Sequence, residues 1–183
     1  LTLSRISPEK GQHLLLEALL EAEEKGGSLA ECRVVICGAP AFMQGERYMG
    51  RLRRLAGRLK RTRVDFAGHV TGPRKAAMLA IADLYVFPSL HESYGLTLME
   101  ALAAGLPAVA YDHHGALAVL DSRFGRVMEA SPRAGRASRL REAIETLVSD
   151  REALKRMGGA AREYAAQRPF RVAAGELRAL LQR

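Results

Sequence analysis

The chain has 183 residues, 48% of them hydrophobic, enough for one well-buried core and too few for two domains of ordinary size. It has no low-complexity stretch, no signal-peptide pattern and no apolar run near the roughly 20 residues of a membrane span, which argues against disordered, fibrous and helical membrane classes. Lys and Arg outnumber Asp and Glu by 28 to 20, a formal charge of +8 that favours anionic partners, but 5% aromatic residues, no Trp and no zinc-finger or RNA-recognition spacing argue against nucleic acid.

The opening Leu1-Thr2-Leu3-Ser4-Arg5 reads as the end of a strand, and with Leu rather than Met in first place a piece of a longer protein is expected. Ser7-Pro8-Glu9 carries a helix start, with a Ser cap, Pro at the first helical position and an acid in the first turn. That helix buries Leu15, Leu16, Leu19 and Leu20 and ends at Gly26-Gly27. Arg33 to Gly38 is a short apolar run closed by Gly, a buried strand of the parallel-sheet type. Cys32 and Cys37, an odd interval apart along it, face opposite sides and are expected not to pair, which fits a reducing cytoplasm.

Between Arg47 and Arg63 the cations Arg51, Arg53, Arg54, Arg58, Lys60 and Arg61 decorate a helical pattern with Leu52, Leu55 and Leu59 inside. A solvated helix face is the usual meaning of such a run, and peripheral contact with an anionic membrane is the functional alternative. The alternation then repeats: strand Val64 to Gly68, helix Pro73 to Ala82, strand Leu84 to Pro88, helix Gly95 to Ala104, strand Pro107 to Tyr111. From Arg133 the pattern is helical only, with Leu140, Ile144, Leu147 and Val148 on one face, then Leu154, Met157 and Ala161, and last Leu177, Leu180 and Leu181. Alternating strands and helices predict an α/β, Rossmann-like doubly wound parallel sheet with helices on both faces, closed by the C-terminal helices. Ligands of such sheets bind beyond the carboxyl ends of the strands.

Arg5 ends the first strand and Lys10 lies in the first turn of the next helix, so two cations are expected at one sheet edge, an arrangement suited to a diphosphate. The segment His91 to Glu100 joins loop to helix. Glu92 precedes a helix N-terminus whose amides near Gly95 and Leu96 have no intrahelical partner, and Glu100 lies about two turns on among Leu98, Met99, Ala101 and Leu102. Carboxylates there can accept hydrogen bonds from sugar hydroxyls. The plainer readings are a dipole-stabilising acid for Glu92 and a solvent-facing residue for Glu100.

The paired acids of Glu92 to Glu100, followed by Ala101-Leu102-Ala103-Ala104-Gly105-Leu106-Pro107, resemble the hallmark segment of family 4 (group 1) glycosyltransferases of the GT-B fold. Ser4-Arg5-Ile6-Ser7-Pro8-Glu9-Lys10-Gly11 is similar to that family's "Gly-Arg … Pro-Glu-Lys-Gly" segment. Val64-Asp65-Phe66-Ala67-Gly68-His69-Val70 and Ala82-Asp83-Leu84-Tyr85-Val86-Phe87-Pro88-Ser89 follow in family order. The resemblance implies that residues 1–183 form the nucleotide-sugar donor domain of a retaining glycosyltransferase whose N-terminal acceptor domain lies outside this chain. It implies that Arg5 and Lys10 hold the diphosphate, helped by amides near Tyr94, Gly95 and Leu96, and that Ser93 and Thr97 belong to the same donor segment. Glu92 would then bind the donor sugar, Glu100 the ribose, and the backbone near His69 and Val70 the base; Glu92, Arg5 and Lys10 would also act in catalysis.

No Asp-x-Asp motif is present, so the expected chemistry uses no metal and no cofactor. The expected location is cytoplasmic, with peripheral contact at the inner membrane face as an added possibility. Ser4 stands where the family has Gly. In Asp112-His113-His114-Gly115-Ala116-Leu117-Ala118, His114 and Ala118 replace the first Gly of a Gly-Gly pair and a following acid, and His113 and His114 read as polar turn residues. Those changes keep open a non-catalytic nucleotide-sugar-binding module; a GT-B-fold epimerase or phosphorylase shares the fold, but the acid/base set and the pyridoxal lysine motif they need are not apparent.

Overall fold

The computed structural model describes residues 1–41 and 43–168, so the expected last helix face of Leu177, Leu180 and Leu181 lies outside the described residues. Strands and helices alternate from the start: β1 (Thr2–Leu3), α1 (Gln12–Glu24), β2 (Arg33–Cys37), α2 (Gly45–Ala56), β3 (Arg63–Gly68), α3 (Gly72–Ile81) and β4 (Tyr85–Phe87). They continue through α4 (Leu96–Ala103), β5 (Ala108–Tyr111), α5 (His114–Leu117), β6 (Gly125–Met128), α6 (Arg136–Val148) and α7 (Arg151–Ala166). All strand pairs are parallel, in two three-stranded sheets ordered β1-β2-β3 and β4-β5-β6. The sheets meet where the Val86 amide donates to the Leu1 carbonyl (2.8 Å) and the Tyr85 hydroxyl to the Leu3 carbonyl (3.0 Å). β1 and β4 therefore lie side by side, and the winding direction reverses between them, the place where doubly wound sheets leave a crevice.

Period-2 alternation divides the core into two layers. Val86, Val109 and Tyr111 face the layer filled by Leu15, Leu16 and Leu19 of α1 and Leu140 and Ile144 of α6. Tyr85, Phe87, Ala108 and Ala110 face the opposite layer, built from Leu98 and Leu102 of α4, Phe124, and Ala161 of α7. Burial on both faces explains why β4 and β5 read as continuous apolar runs rather than alternating ones.

Two boundaries and two short elements, α5 and β6, differ from the sequence reading. Ser7-Pro8-Glu9 does start a helical turn, but it is a 3-10 turn over Pro8–Lys10 that stops at Gly11, φ 67°, and α1 begins only at Gln12. The Ser7 hydroxyl donates to the Glu9 carboxylate (2.6 Å) instead of capping the amides. The basic helix α2 ends at Ala56, seven residues short of the end of the charge run, and the Glu23 carboxylate accepts from the amides of Lys60, Arg61 and Thr62, holding that segment as a bent return to β3. β6 was not expected at all: Gly125-Arg126-Val127-Met128 is short, carries an exposed Arg126, and gains its strand character from pairing with β5. Both cysteines are free, as expected, with Cys37 buried.

A Cβ at Gly11 would collide with the Pro88 carbonyl oxygen, whereas one at Gly26 meets nothing within 4 Å, although both residues have φ 67°. Both alanine variants carry the left-handed strain of about 1–2 kcal/mol. Gly11→Ala should lower the thermal midpoint well beyond Gly26→Ala, because it also forces the two loops apart; equal shifts in parallel melts would show that these loops separate without cost.

Candidate functional site

The turns leaving β1 and β4 are joined by backbone contacts. Gly11 lies against Pro88, and the Leu90 amide donates to the Glu9 carbonyl (2.9 Å). This registration brings the Lys10 ammonium to 2.6 Å from Glu92 Oε2, with only 9% of the Lys10 side chain and 24% of the Glu92 side chain exposed. Arg5, on the adjoining turn, is exposed. Its carbonyl accepts from the buried Gln12 amide (2.7 Å), which also donates to the Ser4 hydroxyl (2.8 Å). At the position where the family pattern has Gly, Ser4 thus helps to fix the Arg5 turn.

The loop after β5 closes the third side. The Gly115 amide donates to the Glu92 carbonyl (3.1 Å), and a Cβ on Gly115 would crowd the Tyr94 backbone at 2.9 Å. The cleft so formed, about 740 Å³, is lined by Arg5, Lys10 and Glu92 with Ser93, Asp112, His113 and His114, and rimmed by Glu9, Leu90 and His91. Among the described residues no group of three or more His, Cys, Asp or Glu is placed to hold a metal ion, and no helix is long and apolar enough to cross a membrane.

The remaining expected site residues are placed differently. Tyr94 and Leu96 are exposed beyond the cleft, and Gly95, φ 78°, caps α4. In the first turn of α4 the Leu98 amide donates to the Gly95 carbonyl (2.9 Å), while Leu96 and Thr97 occupy the positions whose amides have no acceptor within a helix. The Thr97 hydroxyl donates to the Tyr85 hydroxyl oxygen (2.9 Å), whose own proton goes to the Leu3 carbonyl, and is engaged in packing α4 on β4. Glu100 is not among the cleft-lining residues. It pairs at 2.5 Å with Lys75 of α3, a cation that spacing along the chain did not associate with it. His69 is exposed and Val70 buried in the loop after β3, also outside the cleft lining.

His113 is the residue the sequence reading mistook. It is not a polar turn residue but 93% buried side-chain packing, 7% exposed, edge-on to Phe87 at 5.1 Å. Its Nδ1 accepts from the Ala116 amide (3.1 Å), so it is the N-cap of α5, a role usually taken by Ser, Thr, Asp or Asn. Burial lowers its pKa against the opposing pull of Glu92, keeping the ring neutral with its proton on Nε2.

These loops belong to a known family. The glycosyl transferases group 1 pattern matches residues 1–164, and the chain is a member of that family. It is 32% identical over 176 residues to a D-inositol 3-phosphate glycosyltransferase of Corynebacterium diphtheriae, covering 94% of this chain and 39% of the relative. It is 29% identical over 178 residues to the alpha-D-kanosaminyltransferase of Streptomyces kanamyceticus, covering 96% of this chain and 43% of the relative. The chain thus spans about two fifths of the length of these relatives. The structure of Anabaena HepE in complex with UDP-glucose superposes with a TM-score of 0.75 at 27% identity, over 91% of this chain and 43% of that one. A sucrose-phosphate synthase from Thermosynechococcus elongatus superposes at 0.80 and 22% identity over 99% of this chain and 44% of that one, a likeness of fold alone. The expected Rossmann-like architecture of GT-B glycosyltransferases is the one observed.

Two histidines near the cleft are held neutral. His113 is lowered, and His13, whose Nδ1 lies 2.8 Å from the Tyr48 hydroxyl, is pushed down to about 4 by burial and then by Arg51, Arg133 and Arg136. Both folded values lie below the unfolded value of about 6.5, so below that pH the unfolded chain binds more protons and stability falls as pH is lowered. Urea midpoints measured at pH 7 and pH 5 should therefore drop, and a His13→Gln/His113→Asn variant should lose part of that drop; an unchanged pH slope would contradict it.

Proposed function

We propose that residues 1–183 are the nucleotide-sugar donor domain of a retaining glycosyltransferase, which passes a sugar from a nucleoside diphosphate sugar to an acceptor held by an N-terminal domain outside this chain. The observation that carries this reading is the cleft at the junction of the two sheets, where Arg5, Lys10 and Glu92 meet beyond the carboxyl ends of β1 and β4. Membership of the group 1 family and the likeness to HepE, solved with UDP-glucose, support it.

The roles follow from charge. Arg5 offers a planar fork and Lys10 a point charge to the diphosphate, without a metal or another cofactor. As the glycosidic bond breaks, negative charge grows on the leaving diphosphate, so both cations lower the barrier as well as bind. Lys10 is already placed by Glu92. When a diphosphate draws the ammonium away, the freed carboxylate becomes an acceptor for sugar hydroxyls. Glu100 can serve the ribose only by sharing its carboxylate with Lys75, and the His69–Val70 backbone remains the candidate contact for the base. Anionic membrane contact at the cytoplasmic face is a further part of the proposal, with no nucleic acid among the partners. A non-catalytic binding module is the second reading, favoured by His114 and Ala118 at positions where the family has Gly and an acid.

Titration calorimetry with uridine, guanosine and adenosine diphosphates, with and without chelator, tests the reading. One nucleotide should bind equally in both conditions, and Arg5→Ala and Lys10→Ala should each weaken it by roughly 1.5–3 kcal/mol, the value of hydrogen bonds to charged groups. Glu100→Gln should weaken the free diphosphate, whereas Glu92→Gln should chiefly reduce the extra affinity for the intact sugar donor. Binding that requires magnesium, or that treats nucleoside and nucleoside diphosphate alike, would overturn the assignment of the two cations. Turnover by the full-length protein separates transferase from binding module.

A further inference from the structure

Arg47, Arg51 and Arg54 recur at helical spacing along one face of α2, over about 10 Å of helix, and with Pro8, Gln44 and Tyr48 they line a hollow of about 390 Å³. Arg51 and Pro8 also line a neighbouring groove of about 710 Å³, which Arg133 borders from the segment before α6 and Arg136 from its first residue. That groove in turn shares Glu9, Leu90 and His91 with the cleft of Lys10 and Glu92. One depression therefore runs from the α2 arginines to the sheet junction. Arg53 and Arg58, which do not line it, are the part of the basic run that a solvated face explains.

The positive charge is concentrated in the hollow, whose lining holds three arginines and no acid, whereas the groove beside it sets Arg51, Arg133 and Arg136 against Glu9, Glu17 and Glu21, with Glu17 on Arg51 (2.9 Å). Arg47, Arg54 and Arg133 meet no carboxylate among the described residues. His13, on the groove wall, feels the result, since after burial the groups that depress its pKa are Arg51, Arg133 and Arg136. A positive hollow that sets the guanidinium forks of Arg47, Arg51 and Arg54 beside the Tyr48 ring of the same helix fits a compact polyanion.

We propose that the Arg47–Arg51–Arg54 hollow is a phosphate subsite, and that it holds a phosphate group of the acceptor while the acceptor's hydroxyl reaches the Lys10–Glu92 cleft along the connecting groove. Assignment to an acceptor rests on the donor reading of that cleft; phosphate binding by the arginines does not.

Calorimetric titration of the 183-residue chain with inorganic tripolyphosphate tests it. Two equivalents should bind, one lost in Lys10→Ala and the other weakened about tenfold or more in Arg47→Ala/Arg54→Ala. Both arginines are exposed on α2, so the double variant should keep the parent circular dichroism and thermal midpoint. Parent-like binding by the double variant would overturn the subsite. Loss of one equivalent in the double variant but none in Lys10→Ala would leave the subsite standing and remove the donor reading instead. Cosedimentation with phosphatidylcholine vesicles, with and without phosphatidic acid, separates the sources of the phosphate. Retention that depends on phosphatidic acid and on the arginine pair assigns a lipid headgroup, and tripolyphosphate binding without retention assigns a soluble phosphate ester.

Discussion

The cleft depends on one backbone contact, the approach of Gly11 to the carbonyl of Pro88. Two separately wound half-sheets meet at β1 and β4, and each must end its loop in the same small volume. A side chain at position 11 would occupy the place of the Pro88 oxygen, so the loops can close only with glycine there. Closure lets the Leu90 amide reach the Glu9 carbonyl and sets the Lys10 ammonium on Glu92. Closure takes the Lys10 ammonium out of water and supplies its counter-charge in the same step, so the buried cation is never left unpaired. Packing of the two turns thus comes first, and the electrostatics of the site follow from it.

The Lys10–Glu92 pair has a second consequence. A carboxylate and an ammonium at hydrogen-bond distance largely cancel each other in the field felt from outside, so the resting cleft is less positive than the residue types suggest. Arg5, exposed on the neighbouring turn, lines the same cleft, and the N-terminus of α4 carries the positive end of a helix dipole. An incoming diphosphate would, under the donor reading, carry more negative charge than the one carboxylate it competes with, and Lys10 would need only to rotate its ammonium between them. Under the donor reading the same short ion pair stores both a phosphate ligand and a hydroxyl acceptor, each kept in place by the other until substrate arrives.

Much of this was legible in the sequence, for reasons that can be named. The strands β2, β4 and β5 announced themselves because burial on both faces leaves only apolar residues, and Arg5, Lys10 and Glu92 were brought together by placing each at a strand's carboxyl end. What was not legible needed tertiary partners. The short strand β6 exists through its pairing with β5, and the bent return after α2 is held by Glu23, more than thirty positions earlier in the chain. Lys75 could not be linked to Glu100 without knowing that α3 lies beside α4. His113 was misread because imidazole is an uncommon cap and its burial depends on Phe87, 26 positions earlier in the chain.

The loop that carries His113 shows where this chain departs from its family and where it does not. Of the two positions where the family has paired glycines, Gly115 is kept, and its neighbourhood gives the reason: its amide holds the Glu92 carbonyl, and a Cβ would press on the Tyr94 backbone. The preceding position, His114, is exposed and lines the cleft, so a side chain is accommodated there without disturbing the packed loops. Ala118, also exposed, replaces the family's acid at the end of α5. The glycine that holds the architecture is retained, while the substitutions fall on residues facing solvent or ligand. His114 thereby brings an exposed imidazole to the same cleft that Arg5 and Lys10 line, while Gly115 behind it keeps the loops packed.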